Sequence, residues 1–252
     1  MMNPKKIFLL ILLVFGTLAV WSKDYKASLF GVRSDGVTLN TGSIQKAIDF
    51  ISENGGGRLV FYVGRYLTGT VELKSNVTLQ LEEGAVLVGT TSVHDYFGVK
   101  GNPALVVADG QQNIGITGKG VIEGQGAALF EQITGQVRKG YLPGTALQPG
   151  PALIAMHDCS NLLFDQLNLL QACGNVLEFT GCKELSVSQV TVKSTAREGS
   201  KGLVLAGCND VRLSDGYFET SGAELTADRA SGNVTVLRCK NVAGLKLMLK
   251  NQ

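Results

Sequence analysis

What this chain has little of narrows its chemistry first. Among 252 residues there are two histidines, one tryptophan, five prolines and only 17% charged side chains, and the formal net charge is +2. No run of lysine or arginine breaks that balance, so the electrostatic footprint of a nucleic-acid binder is missing. No CxxC pair occurs, and neither His94 nor His157 stands near a second ligand type at a recognisable spacing, so no metal site and no cofactor are expected. Long apolar runs are scarce as well. The longest, Ile7 to Val20, follows Lys5 and Lys6 and is shorter than the ~20 residues of a spanning helix. With Trp21-Ser22 and a polar sequence after it, residues 1–22 read as a secretory signal peptide cleaved near Ala19–Ser22, with a retained anchor as the alternative. No cysteine follows the run, which argues against lipoprotein processing there. Residues 23–252 are then expected as one domain, secreted or periplasmic, with no membrane contact after the signal is removed and an oligomeric state left open.

What is present in quantity is glycine, at 32 residues, and self-similarity. A short cassette recurs as Cys159-Ser-Asn161-Leu-Leu-Phe164, Cys182-Lys-Glu184-Leu-Ser-Val187, Cys208-Asn-Asp210-Val-Arg-Leu213 and Ser231-Gly-Asn233-Val-Thr-Val236. Repetition at roughly 20–28 residues is the mark of a solenoid whose coils bury a shared core by stacking. After the cassette, Leu162, Leu185, Val211, Val234 and Phe164, Val187, Leu213, Val236 are expected inward. Leu163, Ser186, Arg212 and Thr235 alternate with them and face out. In the strand before it, Ile154, Leu177, Leu203, Thr226 and Met156, Phe179, Leu205, Asp228 are expected inward. Leu153, Val176, Gly202, Leu225 and Ala155, Glu178, Val204, Ala227 are expected outward. Repeated period-2 alternation predicts an all-β parallel β-helix. Cys159, Cys182 and Cys208 share one interior column, so stacked free thiols are preferred to disulfides, and the odd cysteine count leaves at least one thiol over in any case.

Upstream, Asn40 or Thr41 is placed to cap a helix over about residues 43–53, with Ile44, Ala47, Ile48 and Ile51 as its apolar stripe and Gly55-Gly-Gly57 as its stop. One helix followed by short strands predicts a plug over an open solenoid end, with nothing else helical. The segment 127–151 departs from the coil length and reads as a long loop carrying Phe130, Arg138, Lys139 and Tyr141. Either it walls a groove for an anionic sugar polymer with an aromatic platform and cations, or it packs on the solenoid flank.

Phe30-Gly-Val-Arg-Ser-Asp-Gly36, Ile44-Gln-Lys-Ala-Ile48, Gly55-Gly-Gly57, Tyr66-Leu-Thr-Gly69 and Glu72-Leu-Lys-Ser-Asn-Val-Thr-Leu79 resemble the cap and first coils of glycoside hydrolase family 28. Ile116-Thr-Gly-Lys-Gly-Val-Ile-Glu-Gly-Gln-Gly126 is similar to that family's following coil. The resemblance implies a single-stranded right-handed parallel β-helix and inverting hydrolysis of galacturonan, a pectin-type polysaccharide. One carboxylic acid protonates the leaving oxygen, others activate water, and basic residues hold the substrate's carboxylates. The family's Asn-Thr-Asp-Gly motif aligns with Gly199-Ser-Lys201-Gly202, and its Gly-Asp-Asp motif with Gly222-Ala-Glu224; Gly-His-Gly and Arg-Ile-Lys segments are not found.

Asn175, Lys201 and Glu224 are expected in one column on successive coils, with Lys201 and Glu224 in reach of each other at the ~4.8 Å strand spacing. Glu224 and Glu178 are the candidate catalytic acids. Lys201, Asn175, Arg197, Glu198, Asp228, Arg229, Arg138 and Tyr141 are the candidate substrate-binding residues. The alternative is a solvated Lys201–Glu224 ion pair filling a vacated groove. Three functions follow: a polygalacturonase-like hydrolase of weak or lost activity, a non-catalytic polysaccharide-binding relative, and a lyase with Lys201 as base. Missing Ca²⁺-type aspartate clusters count against the third. The expected partner is an anionic polysaccharide or oligosaccharide.

Overall fold

The computed structural model describes residues 23–100, 103–147 and 150–251, so the expected signal peptide lies outside the described residues. Three parallel sheets run the length of a right-handed β-helix. The first holds eight strands, among them Gly57–Phe61, Val77–Leu81, Gln112–Thr117, Ser160–Asp165, Lys183–Ser188, Asn209–Ser214 and Gly232–Leu237. The second has seven, including Gly64–Thr68, Asn168–Leu170, Thr191–Ser194, Tyr217–Thr220 and Lys240–Asn241. The third also has seven, including Val71–Glu72, Ala104–Asp109, Ala152–His157, Leu177–Thr180, Leu203–Ala206 and Leu225–Ala227. Within the sheets each strand pairs in parallel with its counterparts one coil above and below, which gives the strands' backbone groups partners across the ladder.

The columns after the cassette match their expected register. Leu162 pairs with Leu185, Leu185 with Val211 and Val211 with Val234, and the Phe164–Val187–Leu213–Val236 column runs parallel to them. One core of aliphatic and aromatic side chains fills the tube, with Phe164 and Phe179 meeting edge to face at 5.3 Å. Val234 and Val236, on the last coil, are only partly buried. Cys159, Cys182 and Cys208 are buried, free and stacked, as the cassette predicts. Their thiols donate to backbone carbonyls such as His157 O at 3.0 Å and Phe179 O at 3.3 Å. Hydrogen bonds from its two stacked neighbours push the Cys182 thiol well above its ordinary range.

The columns before the cassette need three corrections. Leu153 and Val176, expected outward, lie in the core; at this corner the chain bends and sends two successive side chains inward. Leu225, not Thr226, stacks on Leu203, and Ala227, not Asp228, on Leu205. The cause is a one-residue change of spacing. Leu203 to Leu225 is 22 positions, whereas Val211 to Val234 is 23, the extra residue sitting in the turn Asp228-Arg-Ala230.

Helix α1, Thr41–Glu53, plugs the N-terminal end with Ile44, Ala47, Ile48 and Ile51 buried. Asn40 stands at its N-cap, but its side chain does not cap the helix. It brackets Arg33 instead, accepting from Arg33 N–H at 2.8 Å and donating to Arg33 O at 2.9 Å. Nor is α1 alone. Residues expected as a long loop form a second helix, α2, Gly126–Arg138, and a short 3₁₀ turn, Gly144–Leu147. Its Leu129 and Ile133, four apart, are buried against Cys173. No helix among the described residues is long and apolar enough to cross a membrane.

Candidate functional site: a groove between the second and third sheets

The groove forms where chain leaves the second sheet and enters the third. Two successive turns, residues 171–176 and 195–202, leave a concavity of about 520 Å³ lined by Cys173, Gly174, Asn175 and Arg197 to Lys201. The turn 195–202 is the longer, and its Arg197-Glu198-Gly199 segment also lines a second hollow of about 480 Å³ that reaches Phe130 on α2. The floor is built from small polar groups. Ser200 is buried; its hydroxyl donates to Gly174 O at 2.6 Å and lies 3.2 Å from Ser194 Oγ, which accepts from Ala172 N–H at 3.1 Å. Ser221 accepts from Ser200 N–H at 3.2 Å and donates to Arg197 O. These bonds satisfy the backbone of an irregular turn that has no ladder partner.

Asn175 ties two coils together, as the shared column predicts. Its Oδ1 accepts from Lys201 N–H at 3.0 Å and its Nδ2 donates to Glu178 Oε1 at 2.7 Å. Lys201 therefore stands over Asn175 at the groove. Glu178 lies between inward-facing Leu177 and Phe179 and so faces out from the third sheet, in the column of Ala155 and Val204.

Glu224 does not join them. The 22-residue spacing puts Ala223 over Lys201 and Glu224 over Gly202, with Gly202 N–H donating to Ala223 O at 3.0 Å and Leu203 N–H to Glu224 O at 2.9 Å. That column is the corner column of Leu153 and Val176, which faces the core. A Cβ at Gly202 would stand 2.8 Å from the Phe218 ring, so glycine is required there. Glu224 is half-buried and accepts from Asn241 Nδ2 at 3.3 Å. The expected Lys201–Glu224 column, and with it the Glu178–Glu224 pair on one face, is thus corrected by the register.

The remaining candidates separate cleanly. Arg197 is central: its guanidinium lies 4.4 Å from the Phe130 ring centroid and its Nη1 donates to Cys173 O at 2.9 Å, so it rivets α2 to the groove. Glu198 is exposed on the rim beside it. Asp228 and Arg229 lie at the other end of the third sheet's strand, away from the groove. Asp228 accepts from Gly207 N–H at 3.0 Å and from Ser231 N–H and Oγ at 2.9 and 2.7 Å; the Gly207 and Ser231 bonds hold its carboxyl below the usual range, so it is a turn-capping residue. Arg138 and Tyr141 are exposed at the far end of α2 and do not line the groove. Sequence reasoning missed Cys173, whose backbone oxygen anchors Arg197 and whose thiol burial pushes its pKa up. It also missed Ser200; its place between Gly199 and Lys201 in the aligned motif was the available signal.

The model of glycosyl hydrolases family 28 matches residues 60–245. The chain belongs to that family. A "Probable polygalacturonase" of Vitis vinifera is 26% identical over 230 residues, covering 83% of this chain and 45% of its own. A crystal structure from Parabacteroides merdae, of a protein described as a glycosyl hydrolase, superposes with a TM-score of 0.83 at 45% identity, covering 89% of this chain and all of that one. The family 28 exopolygalacturonase of Yersinia enterocolitica superposes with a TM-score of 0.78 at 20% identity, covering 87% of this chain and 49% of that one, and shares the fold. The chain thus spans about half the length of the grape and Yersinia proteins. In this family 28 member the groove's charged lining among the described residues consists of Arg197, Glu198 and Lys201.

Proposed function

We propose that this family 28 chain binds a uronate-rich, pectin-type polysaccharide in the groove between residues 173 and 201, with hydrolysis weak or lost. The observation that carries this reading is the lining itself. Lys201 offers a cation to the carboxylates of an acidic glycan, beside the Phe130-stacked Arg197, while Glu224 lies off this column and accepts from Asn241. Inverting hydrolysis needs two carboxyl groups facing each other across ~6.5–9.5 Å. Glu178 and Glu198 are the acids nearest this groove, and residual turnover would run through them. The names of the grape and Yersinia proteins support a galacturonan as the glycan. We further propose export through the N-terminal leader; mass spectrometry of the secreted protein would then find a new N-terminus near residues 19–22.

One experiment tests the main reading. The purified protein is titrated with oligogalacturonides while reducing ends and unsaturated-product absorbance are followed together. Saturable binding that falls at least tenfold in Lys201→Glu, with few reducing ends and no absorbance, is the expected result. Rapid release of reducing ends would replace it with an active hydrolase, absorbance with a lyase, and binding indifferent to Lys201→Glu would place the glycan elsewhere.

A further inference from the structure

A separate concavity lies toward the N-terminal cap, where α1 meets the first strand of the third sheet. It measures about 280 Å³ and is lined by Thr41, Gly42, Gln45, Asp49, Thr70, Glu72, Lys74 and Phe97. Phe97 is the unusual member. The residue is 49% exposed, yet its backbone is tied down on both sides. Phe97 N–H donates to the buried Thr70 Oγ1 at 3.0 Å, Thr70 Oγ1 donates to Ala104 O at 2.6 Å, and Ala104 N–H donates to Phe97 O at 3.2 Å. An exposed aromatic ring on so fixed a backbone is a platform, not a stray surface side chain.

The polar groups beside it are equally well held. Gln45 donates to Asp49 Oδ1 at 2.9 Å and to Glu72 O at 3.0 Å, and accepts from Glu72 N–H at 2.8 Å. Lys74 Nζ sits 2.7 Å from Glu72 Oε1. Each carboxylate thus has one oxygen engaged, which orients the group and leaves its second oxygen as an acceptor. Two carboxylates against one ammonium give this hollow a negative balance, opposite to the Arg197–Lys201 groove. A uronate would be repelled here. A volume just below the ~300–1,000 Å³ range of drug-sized ligand pockets suits a single ring, not a polymer segment.

We propose that this hollow is a binding site for one neutral, hydroxyl-rich sugar ring, its apolar face on Phe97 and its vicinal hydroxyls donating to Asp49 and Glu72. Lys74 serves as the donor to a ring or hydroxyl oxygen. The site stands on its own residues and does not depend on what the groove binds.

The test uses saturation-transfer NMR and calorimetry on the full chain with methyl glycosides of neutral hexoses, and with methyl galacturonoside as the charged counterpart. Neutral glycosides are expected to bind in about the millimolar range. Phe97→Ala and Asp49→Asn are each expected to weaken them by about tenfold or more, Phe97→Trp to retain them, and Lys201→Glu to leave them unchanged. Circular dichroism and thermal melts confirm that each variant folds. The proposal is overturned if no neutral glycoside binds at about 20 mM, if binding survives both Phe97→Ala and Asp49→Asn, or if Phe97→Trp abolishes it. A preference for methyl galacturonoside, or loss of neutral-sugar binding in Lys201→Glu, would equally overturn it by assigning the sugar to the groove.

Discussion

Arg197 offers the most direct check on how the groove is held together. Among its contacts are a guanidinium stacked 4.4 Å from the Phe130 centroid on α2 and a 2.9 Å hydrogen bond to Cys173 O on the neighbouring coil. A half-desolvated cation–π contact is worth about 0.5–2 kcal/mol, and a hydrogen bond from a charged donor about 1.5–3 kcal/mol. Truncation also frees the side chain's rotamers, which offsets part of the loss. Arg197→Ala is therefore expected to destabilise the protein by about 2–3 kcal/mol, a fall in Tm of roughly 5–10 °C at this size. The decisive measurement is a double-mutant cycle by urea unfolding. Arg197→Ala, Phe130→Ala and the pair should reveal a coupling of about 0.5–1.5 kcal/mol. Arg197→Lys keeps the charge but not the planar stack, and should recover less than half of it. Amide exchange in α2 should quicken in each single variant. Strict additivity, with coupling inside about 0.3 kcal/mol of zero, would refute the role of Arg197 as the fastening between helix and groove.

The polar column at the start of the first sheet's strands gives another expectation. Asn76, Asn113 and Asn161 hydrogen-bond in series at 2.8 and 2.7 Å, all with positive φ, but the series then meets Glu184, also left-handed at φ 54°. Asparagine tolerates that conformation better than glutamate and would remove a like charge stacked one coil from Asp210, so Glu184→Asn should raise stability by about 0.5–1 kcal/mol; an unchanged or lower Tm would count against the ladder. The buried free thiols make a third. Native protein should react negligibly with a thiol reagent and release five equivalents after denaturation without reductant; a count of three or one would mean disulfides.

Much of this architecture was legible because one physical pattern repeats. Alternation after each cassette placed Leu162, Val187 and Leu213 correctly, since each coil restates the same demand that an apolar face be buried. The strand before the cassette was less legible for a local reason. At the corner carrying Leu153 and Val176 the chain turns while still feeding the core, so period 2 fails there. The Ser231 cassette lies downstream of the extra residue at Asp228-Arg-Ala230, so a uniform coil spacing misplaces Glu224 by one position. Helix α2 was hidden by Thr134-Gly135 in its middle and by a stripe, Leu129 and Ile133, too short to stand out. Lys201, Asn175, Arg197 and Glu198 were found at one groove because they lie in the aligned turns themselves. Arg138 and Tyr141 were grouped with them only by composition.

The turn at residues 228–230 has an evolutionary corollary. Lengthening one bend by a single amino acid leaves the rungs on either side in place, because the ladder resumes its pairing at once. What changes is only the count of residues between stacked partners, not the way any of them faces. A codon gained or lost in such a bend is thus absorbed locally, and the core columns on both sides keep their members. In proteins wound this way, length can drift at the hinges between rungs while the buried pattern of the tube stays fixed.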